Sequence, residues 1–280
     1  MPQRPPDTVT DLVNLEHIYF SNKHRPEAAW TLPQGIKKMK ALRLVTKAGL
    51  GYDLQVAQEI GELTALHGLG LVLFNSGPEL AQAFSRKGRH LRFLALYTVD
   101  SGGGIQKLNF LHDIPSPPLL LRFARIAGAI DGLPDWVKLL RDLTEINLTS
   151  TELRGDQILG VLCALPSLLS ITLWRNSYTD SDLVARAEFQ FPVLKKLSVV
   201  SDLDEHKVLR FEQGSMPTLE TLEYRFGKMD KTIIGVEHLT GLKQVNLLGN
   251  RDNPALTRME EELKSESNKR SSTIKVEVKE

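Results

Sequence analysis

The chain has 280 residues, 41% of them hydrophobic, with 35 Lys+Arg against 34 Asp+Glu for a net charge of +1. This is the balance of an ordinary globular protein, and it argues against a general nucleic-acid binder, which would carry a basic excess. No apolar run approaches the ~20 residues of a membrane-spanning helix. The first residues carry no apolar signal core. Cys163 is the single cysteine, so neither an internal disulfide nor a cysteine-based zinc site is possible.

Along the chain one unit recurs: an aliphatic residue, two others, an aliphatic residue, one other, an aliphatic residue. It reads Leu15–Ile18–Phe20, Met39–Leu42–Leu44, Leu66–Leu69–Leu71 and Leu91–Leu94–Leu96. It continues as Phe123–Ile126–Gly128, Leu143–Ile146–Leu148, Leu168–Ile171–Leu173, Leu194–Leu197–Val199, Leu219–Leu222–Tyr224 and Leu242–Val245–Leu247. The unit resets about every 25 residues, inside the ~20–29 residue period of leucine-rich repeats. A helical bundle would show a 3.6-residue period throughout and no reset. The last two aliphatic residues of each unit are two apart, so they share one side of a short strand and point inward. One unit cannot enclose its own leucines, and stacked units form a parallel sheet over a continuous core. The expected fold is an α/β leucine-rich-repeat solenoid, a horseshoe with a parallel concave sheet and about ten irregular repeats.

Between the strands, Asp53 is placed to cap a helix through Val56, Ile60 and Leu63, and Pro78 to open one carrying Leu80, Ala83 and Phe84. Asp156 precedes a helix through Ile158, Leu159 and Leu162, and Asp180 or Ser181 precedes one through Leu183, Val184 and Ala187. Gly102-Gly103-Gly104 and Pro115-Ser116-Pro117-Pro118 mark an insertion or bend. Nothing before Val9 reads as a cap, so the expectation is either the tail end of something longer or a repeat array that an upstream domain once covered. At the other end, Asn253-Pro254 begins a helix with Leu256, Met259 and Leu263 as its stripe. A polar run from Lys264 to Ser272 follows, and Thr273 to Val278 alternates like an edge strand. The expected division is a solenoid over 1–252 and a capping helix with a polar tail over 253–280.

The repeats lack a regular asparagine ladder: the position three after the last strand aliphatic is Asn176 and Asn250 in two units, but Thr151, Val99 and Asp202 in others. Leu32-Pro33-Gln34-Gly35-Ile36, the string Pro117-Pro118-Leu119-Leu120 followed by Gly128 to Trp136, and the ending Gly249-Asn250 to Asn253-Pro254 complete the pattern. Together they resemble the repeat region of plant intracellular disease-resistance proteins, the nucleotide-binding leucine-rich-repeat family of cereal coiled-coil type. The resemblance implies recognition of a pathogen effector or a guarded host protein, and contacts restraining a nucleotide-switch domain. Members of that family carry a coiled coil and a switch domain ahead of the repeats. No G-x-x-x-x-G-K-[S/T] loop occurs here, so nucleotide switching is not carried over to this chain.

Chemistry finds little support. None of the seven histidines forms an H-E-x-x-H or other close ligand pair, and Gly-x-Ser-x-Gly is absent. Glu260-Glu261-Glu262 reads as a solvated helix face and Cys163, between Leu162 and Leu165, as a buried structural thiol. The expectation is a non-enzymatic chain with no cofactor, no metal and no nucleic-acid partner, cytoplasmic and without a membrane span. One glycosylation sequon, Asn147-Leu148-Thr149, is present.

The candidate surface is the concave sheet face, whose residues follow from strand alternation. Tyr19, Arg43, Phe93, Tyr97, Arg125, Glu145, Trp174, Lys196, Glu223 and Arg225 are the expected protein-binding residues. Val45, Ala95, Asn147, Ser198 and Asn246 are placed on the same face. Aromatic and arginine side chains of this kind dominate binding energy at interfaces. The alternatives are a repeat-type substrate receptor or scaffold of a ubiquitin ligase or phosphatase complex, and an extracellular inhibitor or receptor. The second would need a signal peptide and paired cysteines.

Overall fold

Aliphatic residues two apart build strands whose neighbours pair in register. A computed structural model describes residues 5–19, 30–50, 54–74, 80–81, 84, 90–98, 107–201, 207–227, 231–270 and 273–280. The caps expected at Asp53 and Pro78, the Gly102-Gly103-Gly104 run, and Phe20, Ala83, Val99 and Asp202 lie outside those residues. The chain divides into two units, Met1–Leu143 and Thr144–Glu280.

The first unit carries β1 (His17–Tyr19), β2 (Trp30–Thr31), β3 (Leu44–Leu50), β4 (Gly68–Leu73), β5 (Phe93–Thr98) and β6 (Phe123–Ala127). They run parallel in the order β1-β3-β4-β5-β6, and β2 pairs with β3 beyond β1 through Trp30↔Ala48 and Thr31↔Gly49. The inward ladder is Ile18↔Val45↔Leu69↔Leu94↔Ala124, all buried.

Two units of the motif are corrected by this register. In β3 the inward residue is Val45, at 1% exposure, while Leu44 is half-buried on the other side. An extra residue between Val45 and Ala48, with Lys47 at φ 51°, stretches the two-residue step to three. The frame is therefore Leu42–Val45–Ala48. In β6 it is Leu121–Ala124–Ile126: alanine holds the central position, and Phe123 faces outward.

Behind the first unit, the 3-10 turn Ile36–Lys38 opens at Gly35, whose φ of 85° suits glycine. Glu59, buried on α1 (Leu54–Ile60), accepts the Gly35 N–H at 2.7 Å. It also accepts from Gln55 Nε2 at 3.0 Å and lies 3.7 Å from Lys37 Nζ. Val56 and Ile60 of α1 fill the core beside it.

The second unit carries β7 (Glu145–Thr149), β8 (Ser170–Trp174), β9 (Asp182–Ala185), β10 (Lys196–Val200) and β11 (Lys207–Phe211). It continues with β12 (Thr221–Arg225), β13 (Lys231–Ile234), β14 (Gln244–Leu248) and β15 (Lys275–Lys279). The main sheet runs β7-β8-β10-β12-β14-β15, with the ladder Ile146↔Ile171↔Leu197↔Leu222↔Val245↔Val276. The alternating C-terminal segment thus extends this sheet as its edge strand.

A second parallel sheet, β9-β11-β13, forms behind three of these repeats. The helix expected at Leu183 is replaced by β9. Its burial alternates with a period of two, and Leu183 pairs with Leu209, which pairs with Ile233. Helix α2 (Gly155–Leu162) buries Ile158, Leu159 and Leu162 as expected. Asp156 is not its cap. Asp180, from the following repeat, accepts the Gly155 N–H at 2.6 Å.

Two lysines are buried at paired positions of the second sheet, Lys207 at 3% and Lys231 at 1% exposure. Lys207 Nζ donates to Asp180 O at 2.8 Å and sits 4.8 Å from the Tyr178 ring centre. Lys231 Nζ donates to Ser201 O at 3.0 Å and Arg225 O at 3.2 Å. Tyr224, on β12, donates its hydroxyl to Lys207 O at 3.2 Å, and burial pushes that phenol up. Helix α3 (Pro254–Lys269) starts at Asn253, whose side chain accepts from Ala255 and Leu256 N–H groups, and its apolar stripe is Leu256, Met259 and Leu263. Most of the expected polar run belongs to this helix. Arg270 ends it and donates to Leu239 O at 2.9 Å and Val236 O at 2.5 Å.

The corrected register makes a ranked prediction. Val45→Asp puts an unpaired charge into the core and should cost about 3–5 kcal/mol. Leu44→Asp, on the open face, should cost about 1 kcal/mol. Thermal melts that rank the two the other way would overturn the register.

Candidate functional site: the open sheet faces

Alternation along each strand leaves every second residue on the face away from the core, and parallel register aligns these residues into rows. In the first unit one row is His17, Leu44, Gly68, Phe93 and Phe123. The next contains Gly70, Ala95 and Arg125, and Tyr19 faces Thr46 at its near end. The rings of Phe93 and Phe123 stack with centroids 4.7 Å apart, 9° from parallel. Arg125 places its guanidinium carbon 5.9 Å from the Phe123 centroid and donates to Tyr97 Oη at 3.2 Å. Gly68 matters here: a Cβ at that position would meet Leu44 Cδ1 at 2.5 Å. The missing side chain lets Leu44 lie across β4 toward Phe93.

Just ahead of the strands runs a further row, Glu16, Arg43, His67, Arg92 and Arg122, all exposed. Each of the last four donates its backbone N–H to the carbonyl of the residue before it in the row, at 2.7 to 2.9 Å.

In the second unit the rows are polar. Glu145, Ser170, Lys196, Thr221, Gln244 and Lys275 align, as do Asn147, Thr172, Ser198, Glu223, Asn246 and Glu277. Trp174, 41% exposed, stands between Thr149 and Val200, with the Arg175 guanidinium carbon 5.9 Å from its ring centre. Arg225 pairs with Leu248 at the far end of β12. Asn147, the sequon residue, is buried within β7 and donates to Glu145 Oε1 at 3.4 Å. Gln244 Nε2 donates to Asn246 Oδ1 at 2.9 Å and Glu277 Oε2 at 3.2 Å.

The expected binding residues therefore fall into separate groups. Phe93, Tyr97 and Arg125 come together as one cluster. Tyr19, 71% exposed, lies on β1, and Arg43 stands ahead of β3 with Glu16 3.6 Å away. Trp174 and Arg225 lie toward the strand ends of the second unit, and Glu145, Lys196 and Glu223 occupy its other two rows. Val45 is core, and Ala95, Asn147, Ser198 and Asn246 are buried on the face they share. Phe123, Leu44 and, of the row ahead of the strands, Arg92 and Arg122 are not among the expected residues. The signal for Phe123 was the frame Leu121–Ala124–Ile126, hidden by the small central residue.

Cys163 is half-buried, donates to Gly160 O at 3.4 Å, and burial raises its thiol. It is not poised as a thiolate. Among the described residues no three His, Cys, Asp or Glu side chains gather as a metal site, and no helix is long and apolar enough to cross a membrane.

The sequence profile of the leucine-rich repeat region matches residues 3–272. The chain belongs to the leucine-rich-repeat family. Its curated relatives include the rice disease resistance protein Pik-2, 28% identical over 237 residues, covering 76% of this chain and 23% of Pik-2. Rice PIK6-NP is 26% identical over 164 residues, covering 50% of this chain and 15% of that protein. Arabidopsis thaliana RPM1 is 25% identical over 197 residues, covering 69% and 20% respectively. The chain thus spans about a quarter or less of the length of the relatives it matches.

At the edge of the second unit's face, consecutive leucine-rich repeats are joined by a charge relay. Glu220 accepts from Lys195 and Lys243 Nζ, each at 2.8 Å. These two bonds pull its carboxyl from 4.5 down to about 2. The folded value is depressed, so the stabilisation is present above the unfolded value and is lost as pH falls from 4.5 through about 2. A carbon-detected NMR titration should show the Glu220 carboxyl midpoint near 2, and Lys195→Ala with Lys243→Ala should move it toward 4.5. A midpoint near 4.5 in the unsubstituted chain would refute the relay.

Proposed function

We propose that this chain is a protein-recognition module of plant innate immunity. It binds a pathogen effector or a guarded host protein through the open faces of its sheets and performs no chemistry of its own. The observation that carries the reading is the row architecture. In-register strands fix large side chains such as Trp174, Arg225, Phe93 and Arg125 on the face away from the core. Such residue types supply most binding energy at protein interfaces, and extended solenoid sheets serve as binding surfaces. The names of the relatives, all disease resistance proteins, support the biological setting. Restraint of a nucleotide-switch domain belongs to the same reading, with that domain lying outside this sequence.

The test uses a panel of purified effectors and host targets against the full chain, read by biolayer interferometry. An identified partner should lose about tenfold or more in affinity to Trp174→Ala combined with Arg225→Ala. The thermal melt should stay at the wild-type value, since both residues lie outside the core. A partner whose affinity is unmoved by these and by open-face substitutions in the first unit would sink the surface assignment.

A further inference from the structure

We infer that the open face of the first unit docks an acidic segment of a partner protein, one that sets an apolar side chain on the Leu44–Phe93–Phe123 strip. This rests on the recognition reading above and names the chemistry of what is recognised.

The first support is charge. Arg43, His67, Arg92 and Arg122 stand exposed in consecutive positions ahead of β3, β4, β5 and β6. Neighbouring strands are ~4.8 Å apart, so the three arginines span a cationic edge roughly 14 Å long. Alternate side chains of an extended segment recur every ~6.7 Å. Such a segment crossing the strands would bring two or three carboxylates over this edge. Glu16 already shows the contact on a small scale, lying 3.6 Å from Arg43 at the near end of the row.

The second support is how the rings are turned. Phe93 and Phe123 are stacked on each other, and the Arg125 guanidinium lies over the Phe123 ring. The stacked faces are spent within the protein. The rims left to a partner carry the positive side of the ring quadrupole. Rims and arginines therefore favour the same sign of partner, an anion with apolar neighbours. A single-stranded nucleic acid shares the negative charge but gains its affinity by stacking bases on ring faces. Each ring already gives one face to the other, which leaves less ring face for bases, so an acidic polypeptide is the better match.

Arg125 completes the arrangement. Its donation to Tyr97 and its place over Phe123 fix the side chain before any partner arrives, which lowers the ordering cost of binding. Leu44, lying across Gly68, carries the apolar strip from β3 toward β5. An apolar anchor thus has a platform bordered by cations.

The experiment selects binders from a random peptide library on the full chain. The expected result is enrichment of peptides with Asp or Glu around an aromatic or aliphatic residue. Their affinity should fall about tenfold or more with Arg92→Glu plus Arg122→Glu, and with Phe93→Ala plus Phe123→Ala. It should also weaken as salt is raised. The charge pair is exposed, so that variant should melt like wild type and remain informative if the aromatic pair unfolds. Neutral or basic binders, or acidic binders unmoved by the charge reversal, would overturn the inference. Binders lost only through Trp174→Ala and Arg225→Ala would overturn it while leaving recognition standing. Displacement of the peptides by polyuridylate through the same residues would assign the face to nucleic acid instead. A library yielding no binder counts against the recognition reading itself.

Discussion

No rung of this protein can enclose its own aliphatic side chains. Each strand turns two or three of them to one side, and only the neighbours above and below complete their burial. Leu197 is covered because Ile171 and Leu222 stand beside it, and the same holds along each unit. Each buried aliphatic contributes on the order of 1.5–3 kcal/mol, and that contribution depends on register. Register in turn decides which residues face away from the core. The open face is therefore the complement of the packing pattern: Glu223 is presented because Leu222 and Tyr224 are buried on either side of it.

The turns obey a second version of the same dependence. A chain that reverses direction every few residues leaves carbonyls and N–H groups that must find partners. Here many partners come from an adjacent repeat. Thr151 donates to Ser177 O at 2.6 Å, Asp180 serves Gly155, Glu59 serves Gly35, and the Asn253 side chain donates to Gly227 O. In extracellular relatives of this fold class a regular asparagine ladder is the expectation. This chain meets the need with whichever long or short polar side chain each turn supplies, and the two buried lysines are the costliest of these. Removing an ammonium from water is expensive, so its bonds to backbone carbonyls must be well made.

The repeat period, the parallel sheet and most inward residues were legible because large aliphatics mark them at fixed spacing. The slips occurred where a small residue or an extra one broke the marking. Ala124 is too small to announce a core position, and the bulge after Val45 makes Leu44 look like the better-spaced candidate. At β9, Asp182-Leu183-Val184-Ala185 is too short for its own pattern to separate a helix from a strand, and the choice is made by pairing with β11, a long-range contact. For the open face, residue identity was legible strand by strand. The Phe93–Phe123 stack and the aligned arginines were not, since both exist only once the register between strands is fixed.

The paired lysines carry a consequence for how such an array changes length. Lys207 and Lys231 occupy matching positions on consecutive strands, and each reaches back to a carbonyl of the repeat before it. The donor is thus carried by the incoming repeat and the acceptor by the resident one. The acceptors, however, are not equivalent: Asp180 lies two residues before β9, Ser201 directly after β10, and Lys231 also holds Arg225 O of its own repeat. The joints are therefore individual, and a lineage that deleted one rung would have to re-partner a buried ammonium at the new seam.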